Sequence, residues 1–417
     1  MGSKKTGVLI GGSGLIGGTI VNFYKNRHAD TVDIRAPSSK KLSIREENDI
    51  RRYLTEVKPD FIINAAMANL GSDAQLAFEV NYQGPVNLAR AANTLKIPYI
   101  HISSSATLPP GSNLREEDTL PITPKLSNYA KSKLMAETTL KLMAEKEGLD
   151  YSCVRLAIVY GAHDHKIQGF HRLFFSIADE SMPVLFTKKN TLHSYSNARK
   201  LPYFINHMLE NRAEFSSRTY HFVDKNPVDL ATLILTIKSY LHLNQPKEIY
   251  VPYWIANSGK KGLNMLLRIL RRIGLKATLP PELMFLESFY KPQTLSSERL
   301  KKSSFIDPMP EESIFTRLPE LVVYYLTRWS HENLISTYNE NLEMKKPVEQ
   351  NFISNPQKLI NDMHARGIGP FSDMLQSSQT PANEGRSGLN HEYPSTGKTG
   401  NINSGSASPV VENFYRG

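Results

Sequence analysis

The chain has 417 residues, more than one core usually holds, and its 40% hydrophobic and 22% charged residues exclude global disorder. A single cysteine, Cys153, excludes an internal disulfide framework and fits a reducing compartment. The net charge of +10 suits a phosphorylated substrate, an anionic membrane surface or nucleic acid, and no apolar run approaches the roughly 18 to 20 residues of a membrane-spanning helix.

In chain order, Val8-Leu9-Ile10 reads as a buried strand. It is followed by Gly11-Gly12-Ser13-Gly14-Leu15-Ile16-Gly17, a tight turn opening a helix. The six glycines between Gly7 and Gly18 are too many for the apolar stretch of a secretion signal, so a cytoplasmic protein is expected. Glycine here lets the turn tighten, lets backbone N–H groups approach a pyrophosphate and lets the helix pack close to its strand, so the segment predicts dinucleotide binding. Residues 31–35 form a short second strand. A helix follows with Ile50, Tyr53, Leu54 and Val57 on one face, then the apolar strand Phe61-Ile62-Ile63-Asn64-Ala65-Ala66, whose small end lets a cofactor lie against it. Residues 74–95 are helical, and Tyr99-Ile100-His101-Ile102 is a strand running into Ser103-Ser104-Ser105. A helix carrying Tyr129 and the strand holding Cys153 complete the alternation, which predicts a parallel, doubly wound sheet with its site at the carboxyl ends of the strands. Cys153 stands in an apolar run and is expected to be a buried, inert thiol.

After Gly161 the alternation weakens, with one clear strand at Tyr220-His221-Phe222-Val223. The organisation expected is an α/β dinucleotide-binding domain of Rossmann type over 1–165, returning to its sheet near 195–225. A smaller, mostly helical substrate lobe follows over 166–343, and a Ser-, Gly- and Asn-rich tail over 344–417 is expected to be disordered.

Tyr129 and Lys133 stand four residues apart, hence on one helix face. A nearby cation stabilises a phenolate, so Lys133 is expected to lower the Tyr129 pKa toward that of a general base. Ser105, 24 residues before Tyr129, would hold a substrate hydroxyl or carbonyl while Tyr129 exchanges its proton, and a nicotinamide would supply or accept the hydride. His163-Asp164-His165 lacks further ligands, so no metal is expected.

With Asn64-Ala65-Ala66, Val80-Asn81, Gly84, Asn87-Leu88, Ser103 to Thr107, Tyr129 to Lys133, and Arg155 with Val159-Tyr160-Gly161, the glycine turn resembles the extended short-chain dehydrogenases/reductases, the NAD-dependent epimerase/dehydratase superfamily. The resemblance covers residues 7 to about 161, with an echo at Ser297-Glu298-Arg299-Leu300. It implies Tyr129 as acid/base, Lys133 as its partner and ribose ligand, Ser105 as the orienting hydroxyl, and Asn81 near nicotinamide or substrate. Gly11, Ser13, Gly14, Leu15, Ile16, Gly17, Ala65, Ala66 and Ser103 would line the cofactor. In this family dehydratases place an Asp-Glu pair after the catalytic hydroxyl, whereas Ala106-Thr107 follow Ser105, so dehydration is disfavoured. Leu108-Pro109-Pro110-Gly111 replaces the usual Val-Tyr-Gly, and no arginine that grips a nucleotide pyrophosphate is found around 190–197.

Arg35 at the end of the second strand, with Ser38, Ser39 and Lys40 after it, favours NADP over NAD, while Asp33 is the competing ribose ligand. The function expected is an NAD(P)-dependent oxidoreductase or epimerase, a sugar nucleotide being preferred as substrate. A 3β-hydroxysteroid-type or other lipid dehydrogenase at a membrane surface, and a non-catalytic cofactor-binding regulator, are the alternatives. Residues 260–276 form a basic amphipathic segment that either lies on an anionic membrane or packs onto the lobe. No nucleic-acid partner is expected, and a homodimer is allowed.

Overall fold

The computed structural model describes residues 4–331 apart from 163, 165–168, 179–181, 187–190, 273–282 and 284, together with 357, 360 and 361. The chain divides into two compact units, 1–321 with 411–417, and 322–410. His163, His165, residues 273–276, and the tail from 344 except 357, 360 and 361 lie outside the described residues.

In the first unit the chain alternates strand and helix. Strand β1 (Lys5–Ile10) leads to helix α1 (Leu15–Arg27), β2 (Val32–Arg35), α2 (Glu47–Val57) and β3 (Phe61–Asn64). Then come α3 (Ala74–Phe78), α4 (Gly84–Leu95), β4 (Tyr99–Ser104), the short β5 (Gly111–Leu114), α5 (Asn128–Glu147) and β6 (Tyr151–Leu156). Six strands form one parallel sheet in the order β2-β1-β3-β4-β6-β11, where β11 is Arg218–Phe222. The chain leaves β1 toward β2 on one side and returns to β3 on the other, so the strand order reverses beside β1 and opens a crevice at the strands' carboxyl ends.

Near-continuous apolar strands are what a sheet covered on both faces requires. Successive residues point to opposite faces. Val8, Ile10, Ile62, Tyr99 and Cys153 therefore pack into one core with Ile50 and Leu54 of α2, Leu88 of α4 and Leu140 of α5. Leu9, Ile63, Ile100, Ile102, Val154 and Leu156 enter a second core with Ile20 of α1 and Phe204 and Ile205 of a later helix, α7 below. Fully burying each such aliphatic side chain contributes about 1.5–3 kcal/mol. Cys153 is completely buried, and burial pushes its thiol above the usual range.

From Ile158 onward the structure adds strands invisible to alternation because each holds only two or three residues. These are β7 (Ile158–Tyr160), β8 (Val184–Phe186), β9 (Leu192–His193), β10 (Tyr195–Asn197), β12 (Val228–Asp229), β13 (Lys247–Ile249) and β14 (Gln293–Leu295). The helices here are α6 (Gly169–Ala178), α7 (Leu201–Glu210), α8 (Arg212–Phe215), α9 (Leu230–Tyr240) and α10 (Tyr253–Arg272). A second sheet, β12-β9-β14-β5, joins the loop after the serine triplet to residues 293–295.

Candidate active site

The glycine turn is built as its spacing requires. Gly11 has φ +86°, and a Cβ there would stand 2.7 Å from the backbone of Ala65 and Ala66. At Gly17 a Cβ would lie 2.0 Å from the Gly11 carbonyl oxygen, so the helix could not approach its strand. Gly14 differs: it precedes α1 with φ −84°, and a Cβ would meet only the Gly11 oxygen at 3.6 Å. No protein atom forces glycine at Gly14, whose neighbouring space is the crevice.

That crevice is a cavity of about 680 Å³ walled by Gly11, Gly12, Ser13 and Gly14, by Ala36 to Ser39 beyond β2, by Leu42 to Arg45, and by Ala65, Ala66, Met67 and Val80. Its walls are the turn, the start of α1 and the end of β3, and the first N–H groups of a helix lack intrahelical partners and favour an anion. Asn64 shapes one wall: its Oδ1 accepts from the Ala66 N–H at 3.1 Å and its Nδ2 donates to the Tyr99 hydroxyl at 3.1 Å. Of the predicted cofactor residues Gly11, Ser13, Gly14, Ala65 and Ala66 line the cavity, while Leu15, Ile16 and Gly17 continue into α1. Arg35 is not a wall residue but precedes Ala36; its Nε donates to Asp33 at 3.0 Å, both side chains being about half exposed. The two rival ribose ligands are thus paired with each other.

Asn81 sits in a π turn, Glu79–Gln83, that joins α3 to α4. The cause stands in the sequence: Pro85 has no N–H and its ring collides with the carbonyl four residues back, that of Asn81, so the helix widens there. Buried Asn81 accepts from the Ala68 N–H at 2.8 Å through Oδ1, while its Nδ2 has no protein partner. The Ser103 hydroxyl is also buried without a protein partner. Neither Asn81 nor Ser103 is a wall residue of the cavity. The unfilled space at Gly14, at the start of α1, makes the turn fit the phosphates of a dinucleotide.

Helix α5 starts at Ser127, whose Oγ accepts from the Ala130 N–H at 3.2 Å. The four-residue spacing places Tyr129, Lys133 and Glu137 along its buried side. Glu137 receives Arg155 of β6, from Nε at 3.0 and 3.1 Å and from Nη2 at 2.6 Å, while Arg155 Nη1 donates to the Glu116 carbonyl at 2.7 Å. Lys133 Nζ donates to the Ile102 carbonyl of β4 at 2.9 Å, and burial pushes its pKa down to about 8. The expected lowering of the Tyr129 pKa is not found. Burial pushes the phenol above its usual range, and the influence of the Ser104 hydroxyl offsets this only in part. Removing water from the phenol opposes its charged form, and Lys133 is turned to the β4 carbonyl, itself partly discharged by burial.

Ser104 Oγ accepts from the Ala106 N–H at 3.2 Å. Ser105, which is buried, begins the tight turn Ser105–Thr107 just past β4, and its carbonyl accepts from Gln293 Nε2 at 3.2 Å. Gln293 escaped the sequence reading. Its amide donates to the carbonyls of Ser105, Leu108 and Pro109, pinning the unusual Leu108–Gly111 loop from 185 residues away or more for the first two.

Residues 8–187 match the model of the NAD dependent epimerase/dehydratase family. This segment, which holds the glycine turn, Tyr129 and Lys133, is similar to the domain of that family. It is 23% identical to GDP-L-colitose synthase of Yersinia pseudotuberculosis over 235 residues, 54% of this chain and 74% of that protein. Among solved structures, a dTDP-glucose 4,6-dehydratase of Bacillus anthracis in complex with NAD is similar in fold, with a TM-score of 0.57 at 14% identity, over 78% of this chain and 98% of that one. A dTDP-4-dehydrorhamnose reductase of the same species in complex with NADP gives 0.50 at 19% identity, over 60% and 86%. Family members on this fold thus bind either cofactor, and one is a dehydratase. The fold therefore does not support the exclusion of dehydration expected from Ala106-Thr107, nor does it choose NADP over NAD.

Proposed function

We propose that the protein is an NAD(P)-dependent oxidoreductase or epimerase that interconverts a secondary alcohol and a ketone on a sugar nucleotide, with Tyr129 as the proton-transfer group. The observation that carries this reading is the buried Tyr129 phenol, held protonated by burial and sharing the buried face of α5 with Lys133. A phenol with a raised pKa is suited to give its proton to a carbonyl oxygen, the direction of reduction. Ser104 orients that oxygen or the phenol, and Ser105 contributes its hydroxyl beside it. Lys133, anchored to β4, presents a donor for a ribose hydroxyl. The backbone of Gly11 to Gly14 holds the pyrophosphate, Ala65 and Ala66 let the cofactor lie flat, and Asn81 and Ser103 offer their unpartnered polar atoms. A nicotinamide cofactor bound there supplies or accepts the hydride.

The substrate class rests on the relatives, whose names carry GDP- or dTDP-linked sugars. NADP is preferred, because Ser38 and Ser39 line the β2 end of the crevice and Arg35, just before the wall residue Ala36, could turn from Asp33 to a 2′-phosphate. One assay tests both parts: nicotinamide absorbance is followed with sugar nucleotides and sterols, with either cofactor, for the native chain, Tyr129→Phe and Arg35→Ala. Tyr129→Phe is expected to lose about 10²–10⁴-fold in turnover, and unchanged turnover sinks the catalytic role. Arg35→Ala should weaken NADP more than NAD; equal loss removes the NADP preference, and turnover of sterols alone replaces the substrate class.

A further inference from the structure

Among the described side chains of helix α10, the covered ones lie on a narrow side. Ala256 and Leu267 are covered, and the Tyr253 ring meets that of Tyr290 at 5.4 Å. Around the rest of the helix Trp254 is 71% exposed, Met265 67%, Leu266 50% and Ile255 44%. At 3.6 residues per turn these four share about 120° of the surface. Lys261 and Arg268, both exposed, run along one edge of that patch, and exposed Tyr250 extends it before the helix. An amphipathic helix that packed its apolar face on the lobe would show the reverse, with aliphatic side chains inward and charges outward.

The charge around the patch selects its occupant. From residue 249 to residue 281 the sequence has six basic residues, Lys260, Lys261, Arg268, Arg271, Arg272 and Lys276, and no Asp or Glu. A second copy laid on this face would bring Lys261 and Arg268 against their own kind. An anionic headgroup layer pairs them, and beneath it hydrocarbon receives the apolar side chains, with Trp and Tyr at the boundary they favour. Among the described residues no helix is long and apolar enough to cross a membrane, so the contact lies in the interface plane. We propose that α10 docks the protein flat on an anionic lipid surface, inserting Trp254, Ile255, Met265 and Leu266 while Lys261 and Arg268 hold phosphate headgroups. The inference does not depend on which reaction the crevice supports.

The full chain is sedimented with phosphatidylcholine vesicles and with vesicles also containing phosphatidylserine, at rising salt. Binding is expected only to the anionic vesicles and should fade with salt. It should bring a blue shift in tryptophan emission that disappears in Trp254→Phe, which retains Trp329. Lys261→Glu with Arg268→Glu should weaken binding more than about tenfold, since each basic residue at such a surface counts for roughly one power-of-ten step or slightly less. Trp254→Ser with Leu266→Ser should weaken it comparably, and cofactor affinity should be unchanged in both double variants. Failure to sediment with anionic vesicles at low salt, equal binding to neutral ones, or undiminished binding of both double variants overturns the proposal. A concentration-dependent dimer without vesicle binding, abolished by Trp254→Ser with Leu266→Ser, overturns it in favour of a second copy.

Discussion

Gly14 and Gly17 stand three residues apart in one turn and answer to different constraints. A methyl group on Gly17 would lie 2.0 Å from the Gly11 oxygen, whereas on Gly14 it would enter the crevice at a normal distance from protein. Gly17→Ala is therefore expected to destabilise the fold, by about 1–3 kcal/mol as for other overpacked sites. Gly14→Ala should leave the urea midpoint nearly unmoved and weaken cofactor binding at least about tenfold by crowding the phosphates. Equal stability losses in the two variants would remove the ligand-based reading of Gly14. The glycine spacing was legible in the sequence. Which glycine serves the chain and which the ligand was not, because that depends on what lies opposite each Cα.

Among the elements, α5 carries most of the site and is tied to the sheet by charge. Lys133 reaches the β4 carbonyl of Ile102, and Glu137 takes three hydrogen bonds from Arg155 of β6, a pair in which both side chains are less than a tenth exposed. Removing one member of such a pair leaves a buried charge uncompensated. Glu137→Gln is expected to cost about 3–5 kcal/mol of stability, measured by urea unfolding, and a loss below about 1 kcal/mol would mean that the pair behaves as if solvated. Helix α5 itself was plain from the sequence, as was the Tyr129–Lys133 spacing. The direction of the Tyr129 shift was not: spacing places a cation near a phenol, but burial and competition by the Ile102 carbonyl decide the balance. The π turn at Asn81 was legible in principle from Pro85, since a proline continuing a helix must disturb the turn before it.

For the whole molecule, the net charge of +10 acts on every anionic partner at once. Association with the proposed ligands, a nicotinamide dinucleotide and a sugar nucleotide, both polyanions, should slow as salt is raised. The value of kcat/KM is expected to fall several-fold between low salt and about 0.5 M, where screening acts within a few ångströms; a salt-independent value would confine the charge to other roles. The sequence by itself determined the parallel α/β architecture up to Gly161, because long apolar strands and helical periodicities are local signals repeated in a fixed order. It also determined the chemical inventory of the site, since residue type and spacing along one helix or turn are local too. Only the tertiary structure decided the direction of the Tyr129 phenol's pKa and the pinning of the Leu108–Gly111 loop by Gln293. It alone turned the apolar side of α10 outward. Each of these depends on groups distant in sequence and on how much water they exclude, quantities that no local pattern records.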